Sequence, residues 1–592
     1  MKTPLLSLFL LAGCLEPPFS PHARDNAVED IQQTLRRIQP AIAQKRAIAY
    51  LVTTVPKHLV AYDLLAGKVL WEVPADITSR LAVGRGFVAH RQGAGEIAVR
   101  ETSSGALRCT HGLEAGAQFL GMAADDQVYY SQQAQNEQTR RSHLVALRAE
   151  SCSEVWRDEG SGSLGAPAVH GGIVAAPFAY QNVVFLDGKS GDEVARVRAI
   201  EESITFVRAT AEGLFYGGNS GVFRFDPKSA TGTKAGSSFI AARFPSDQLH
   251  SFYYWDAYQP AQADYTAFDR NRLLWLPAAS GSEGVTLRDA AIYLHSYRYF
   301  FAFDATLGTV RWAYVHPRVD VVGSDDVGSA LLFAAADGEV GAIDARSGTV
   351  AWSRKTGLRL AGATFDASGY AIDKSQPAPP IEATLTAIVA DPDARFTAIK
   401  VFAVEALAKL PGKAVTAALL KIVLAEGVAP PVQSKAAEAL LHRRDTESAP
   451  LYREALGVRY DYLSDRQPRA VDVLARVSAA IVDPQAVELL GAHLLDPATP
   501  RPTLKEIAKA LVVLSETKSE ALRPLQDLLL SYRCDPAFTT DPASLEQAGE
   551  GLLRHGGAEG HRLVSFVAAE PRTLPRLAAY LRKALGPTVK RP

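Results

Sequence analysis

Methionine is nearly missing from this chain, with two in 592 residues. That scarcity excludes a soft, methionine-lined groove of the kind promiscuous binders use. Cysteine is almost as rare: there are four, and none forms C-x-x-C or C-x-x-C-H, so dithiol exchange and covalent haem attachment have no motif. Neither sign of charge is in excess, since 63 Lys and Arg face 64 Asp and Glu for a formal net charge of −1. A broad nucleic-acid footprint is not expected from such a balance. No internal apolar run approaches the roughly 20 residues that a bilayer-spanning helix needs. G-x-S-x-G, H-E-x-x-H and G-x-x-x-x-G-K-[ST] do not occur, and the 13 His are scattered, so hydrolase, zincin and P-loop chemistry lack their signatures. Asp247 and His250 come nearest to an acid–His pair, and a surface loop accounts for them.

The N-terminus stands apart. MKTPLLSLFLLAGCLEPP has one basic residue, Lys2, then the apolar run Pro4–Leu11, then Leu11-Ala12-Gly13-Cys14. It reads as a secretory signal, and its ending resembles the bacterial lipobox. That resemblance implies a signal peptide over residues 1–13 and a lipid on Cys14, with more than one acyl chain needed for a durable anchor. An ordinary signal peptide that happens to contain a cysteine is the alternative. Leu15, rather than Asp, follows Cys14; by the same resemblance the destination is the outer membrane, facing the periplasm or the cell surface. Residues 14–45 form a tether, or an amphipathic helix with Ile31, Leu35 and Ile38 on one face that docks a partner or caps the next domain. An oxidising compartment permits a Cys109–Cys152 disulfide, and two buried thiols are equally compatible with the sequence. Cys534 is left over either way.

Repetition dominates the first half. LVAYDLLAGKVLW carries Asp63, Gly67 and Trp71; FFAFDATLGTVRW carries Asp304, Gly308 and Trp312; and GAIDARSGTVAW carries Asp344, Gly348 and Trp352. Weaker copies place Glu101, Arg148, Asp187 (with Gly191), Asp226 and Asp269 in the Asp slot, and Cys109 and Cys152 fall in the Trp and Gly slots of the second and third copies. Eight units result, 35 to 47 residues apart. With short strand-like runs such as LVTTV, VVFL and LLFAA between Gly, Asp and Ser, the period predicts an all-β propeller of eight four-stranded blades. Each residue has a structural cause. Asp caps the turn that ends one strand, Gly supplies its positive φ, and Trp fills the wedge between blades.

The pattern A-x-D-x-x-[ST]-G-x-x-x-W over residues 46–374 resembles the pyrroloquinoline-quinone-type propeller superfamily, which includes quinoprotein dehydrogenases and the propeller lipoprotein of the outer-membrane β-barrel assembly machine. Quinoprotein dehydrogenases hold their cofactor over adjacent cysteines and a calcium ion. This chain has no adjacent cysteines and no D-x-[DN]-x-[DN]-G loop, and Asp125-Asp126 and Asp325-Asp326 read as solvated turn pairs. No cofactor, metal site or catalytic residue is therefore expected. Two longer insertions interrupt the repeats. HSFYYWDAYQPAQADY (250–265) offers Trp255, Tyr258 and Tyr265 as a candidate contact surface, although FYYW also reads as a strand with alternate rings buried. QQAQNEQTRRS (132–142) reads as a flexible polar loop.

After a Pro-rich linker at 375–380, the strand signal gives way to Ala/Leu/Val periodicity at three and four residues, broken at Pro411, Pro430-Pro431, Pro484 and Pro497–Pro502. Helices end where proline arrives. Residues 381–586 resemble HEAT-type repeats, with about five helix pairs; an irregular bundle is the alternative. Two large repeat surfaces on one chain imply a lipid-anchored scaffold for envelope proteins, with envelope assembly implied by the resemblance. A quinoprotein-like enzyme or ligand sensor using the propeller channel, and a polysaccharide-binding surface protein, are the competing readings.

Overall fold

The structure, a computed structural model, describes residues 47–586 except 135–140, 162–165, 179–181, 199–203, 211–212, 219–220, 227–230, 238–270, 277–290, 305–308, 328, 368–369, 373–375, 462 and 464–466. Cys14, the 14–45 segment, Trp255, Tyr258, Tyr265, Asp269 and Gly308 lie outside the described residues.

Twenty-eight strands, β1 (Ile48–Thr53) to β28 (Leu360–Asp366), make seven antiparallel four-stranded sheets. Within a blade the burial falls from inside to outside. The middle strand β2 (His58–Asp63) is buried on both faces, and the outer strand β3 (Lys68–Pro74) is mostly exposed. Strands covered on both faces read as continuous apolar runs, as in β25 (Ala330–Ala335), whose six residues are all buried. The last strand, β28, pairs with β1 to complete the first blade, in the order β28-β1-β2-β3.

The described residues thus form seven blades, where the repeat count predicts eight. The unit placed on Asp269 lies outside the described residues except for the strand that follows that residue. Its supposed outer strand is β20 (Asn271–Leu276), which pairs with β21 (Ala291–Ser296) and opens the blade whose turn is Asp304. The polar 132–142 loop also needs correction. Gln132 and Gln133 are buried in β9 (Val128–Ala134), and Ser142 is buried in β10 (Arg141–Arg148). Asp325 and Asp326 belong to strand β24 (Val321–Val327), not to a turn.

Twelve α-helices follow: α1 (Ile381–Val389), α2 (Thr397–Ala408), α3 (Lys413–Leu424), α4 (Pro430–Arg443), α5 (Ala449–Leu456), α6 (Val471–Ala480), α7 (Val487–Leu494), α8 (Arg501–Leu514), α9 (Leu522–Tyr532), α10 (Ala543–His555), α11 (Gly557–Ala569) and α12 (Pro575–Leu585). Proline sits in the first turn of α4, α5, α8 and α12, where no backbone N–H is missed. Short 3-10 turns lead into several helices, and Asp393, Asp483 and Asp535 cap them by accepting from the amide two residues on. The helices α2, α4, α6, α8 and α10 stack in one row, each also packed against its predecessor in the chain. This is a two-row solenoid of six pairs rather than five.

Candidate functional site

The recurring turn is built first from its own backbone. Asp63 Oδ1 accepts from the amides of Leu65 and Ala66, both at 2.8 Å, and the Gly67 amide donates to Asp63 O at 2.8 Å. Asp187 repeats this with Lys189 and Ser190 at 2.9 Å each, and these bonds hold its carboxyl below the usual range. Asp344 Oδ1 accepts from Arg346 N at 2.9 Å. Asp304 meets Arg311 at 2.7 Å. Gly67, Gly191 and Gly348 have φ of +69°, +81° and +71°, a region that costs any other L-residue.

These turns reach across to the preceding blade. A Cβ on Gly105 would sit 2.7 Å from the Trp71 ring, one on Gly191 2.7 Å from Trp156, and one on Gly348 2.5 Å from Trp312. Each indole N–H then donates to a carbonyl of the same turn: Trp71 to Thr102 at 2.7 Å, Trp156 to Gly188 at 2.9 Å and Trp312 to Ala345 at 2.9 Å. A tyrosine backs each indole, with Tyr50, Tyr130 and Tyr293 at ring separations of 6.0, 5.8 and 5.7 Å. Ala61, Ala146 and Ala302 lie directly across the strand pair from Trp71, Trp156 and Trp312. Small faces large. In the fourth blade the sizes are exchanged, Phe185 opposite Ala195, which conserves the volume between sheets.

Two further junctions are joined differently. Between the second and third blades, Cys109 in the Trp slot and Cys152 in the Gly slot are joined by a disulfide. Cys152 keeps the glycine-like backbone, with φ +55° and its amide donating to Arg148 O at 2.8 Å. At ring closure, Trp352 donates to the Tyr370 hydroxyl, and Arg354 covers Gly67 by donating to the Leu64 and Leu65 carbonyls at 2.9 and 3.0 Å.

The helical half joins the propeller through the sixth blade. Tyr299, Phe301 and Phe303 of β22 (Tyr299–Asp304) are fully buried in the core cluster that runs through the helices. Phe402 of α2 meets Phe301 edge-on at 5.4 Å, and Phe396 meets Tyr299 edge-on at 4.9 Å. Arg298 and Asp391 form an ion pair that is largely buried, and the Tyr299 hydroxyl donates to Asp391 at 2.8 Å. Arg395 reaches Asp320 at 3.4 Å. No motif in the sequence marks this joint.

Among the described residues, grooves of about 580 and 630 Å³ open on the solenoid. Glu405, Lys435, Glu438 and Arg443 line the first, with Lys435 bridging Glu405 at 3.1 Å and Glu438 at 3.2 Å. Arg469, Asp472 and Arg476 line the second. Both present charge of both signs.

Comparison with known proteins follows the same division. Residues 56–225 match the family profile described as "Outer membrane protein assembly factor BamB", of the PQQ type. Among solved structures, BamB from Moraxella catarrhalis is 15% identical, covering 53% of this chain and 84% of that one, with a TM-score of 0.32. The computationally designed Ika8 protein is 12% identical over 54% of this chain and 89% of its own, TM-score 0.33. Quinohemoprotein alcohol dehydrogenase from Comamonas testosteroni is 11% identical over 53% and 66%, TM-score 0.33. No curated protein matches the chain. The strand half is a propeller whose residues 56–225 match the PQQ-type profile, and an all-helical repeat follows it.

Proposed function

We propose that the propeller and the solenoid act together as a non-catalytic scaffold of the bacterial envelope, anchored through a lipid on Cys14 and serving outer-membrane or envelope assembly. One observation carries this reading: the hydrophobic core of the helices continues into the sixth blade through Phe301, Phe303, Phe396 and Phe402. Two repeat surfaces held on one body can bind two proteins at a set spacing and angle. The profile match over residues 56–225 supports the envelope role, and the Cys109–Cys152 disulfide supports an oxidising compartment. Among the described residues, no helix is long and apolar enough to cross a membrane.

Crosslinking in intact bacteria tests the reading, with a photoreactive residue placed at Arg476 in the solenoid groove. Recovery of envelope proteins is expected, together with loss of membrane fractionation for Cys14→Ser. Unchanged membrane partitioning of Cys14→Ser would overturn the anchor. A new absorbance band on adding quinone and calcium, with dye-coupled oxidation of alcohols, would overturn the scaffold.

A further inference from the structure

His316, Asp337 and Glu339 bring one nitrogen and two carboxylates together where the sixth and seventh blades meet, with ligand atoms all within 4.8 Å of one another. His316 directly follows the sixth blade's outer strand, β23 (Val310–Val315). Asp337 occupies the turn between β25 and β26, and Glu339 opens β26 (Glu339–Asp344). The His316 side chain is fully buried, and its Nδ1 lies 3.0 Å from Val319 O. A proton on Nδ1 donated to that carbonyl leaves the lone pair on Nε2, the arrangement that prepares an imidazole for a metal. That Nε2 is buried without a hydrogen-bond partner and lies 3.7 Å from Glu339 Oε2.

With the proton on Nδ1, the neighbouring groups cannot satisfy it. Ionised carboxylates only accept, so neither Asp337 nor Glu339 offers Nε2 a proton. Lys355 is the local cation, at 2.6 Å from Asp337 and 3.0 Å from Glu339. It serves the two carboxylates and leaves Nε2 without a partner, and its side chain is 42% exposed, free to swing into solvent.

We propose that His316 Nε2, Asp337 and Glu339 form a binding site for a divalent transition-metal ion, with Lys355 as the cation the metal displaces. One ion satisfies all three donors, and the imidazole favours zinc-like ions over calcium or magnesium. Three protein donors leave a position for water. Because the donors come from two blades, the ion fastens that junction from the edge opposite in kind to the indole latch: by coordination rather than by packing.

Cobalt(II) titrated into the chelator-treated full chain, followed by visible absorption, provides the test. One equivalent is expected to bind and to be displaced by zinc but not by equal calcium. Lys355→Met removes a competing charge a few ångströms away and tightens binding by at least about tenfold. Asp337→Asn with Glu339→Gln, both partly exposed positions, loses the band while the metal-free melting profile is kept. Absence of saturable binding in both the native chain and Lys355→Met overturns the site, as does cobalt binding that survives the double carboxylate variant.

Discussion

At the scale of the residue, three blade junctions depend on one large and one absent side chain. Gly348→Ala introduces a methyl 2.5 Å from the Trp312 ring at φ +71°; overpacking and backbone strain together cost about 2–4 kcal/mol, read as a lowered propeller melting midpoint. The disulfide closes a loop of 43 residues, worth about 4 kcal/mol in the chain-entropy account. Cys109→Ser should lose this and become insensitive to reductant. Because Cys152 already has the glycine backbone, Cys109→Trp with Cys152→Gly should rebuild the indole latch. Its melting temperature is expected to exceed that of Cys109→Ser and not to change with dithiothreitol. His90 shows the same economy of space in a polar group. Burial lowers its pKa from 6.5 to about 4, and Arg100 Nε donates to its Nε2 at 3.3 Å. The unfolded chain therefore takes up the proton first, so the contribution is whole above about pH 6.5 and is lost as pH falls to about 4. This amounts to about 3 kcal/mol. Urea midpoints at pH 7 and 4.5 should converge in His90→Gln, apart from the acid loss that His143, His316 and His493, also depressed by burial, still supply.

Elements carry the joint. Phe402→Ala deletes the ring that meets Phe301 and Phe303, at a cost of about 3–5 kcal/mol. Calorimetry should then show separate helical and propeller transitions in place of a coupled one. A single coupled transition in that variant would place the coupling elsewhere. The strands and helices themselves were legible in the sequence, since their apolar periods differ and proline marks the helix starts. The unit at Asp269 is the one written least clearly. AFDRNRLLW carries Asp269 and Trp275 with no glycine between them, and its tryptophan arrives two residues early. The joint was hidden for another reason: alternate phenylalanines in FFAFD look the same whether they face a blade or a helix. His316 and D-x-E at 337–339 gave a readable signal only once strand pairing set them side by side.

Across the whole molecule, the two halves protect one another. A chain ending at residue 374 would bare Tyr299, Phe301 and Phe303, which the helices bury, and a contiguous aromatic patch of that kind drives association. Light scattering after gel filtration is expected to show self-association for the shortened chain and none for the full one. A monodisperse shortened chain would mean that other residues cover the patch.

The pairing of β28 with β1 has a consequence in time. Ribosomes deliver the first strand more than three hundred residues before its partner at Leu360–Asp366, so one sheet edge waits open over that stretch of translation. A cell that makes this protein must keep that edge from finding a stranger first.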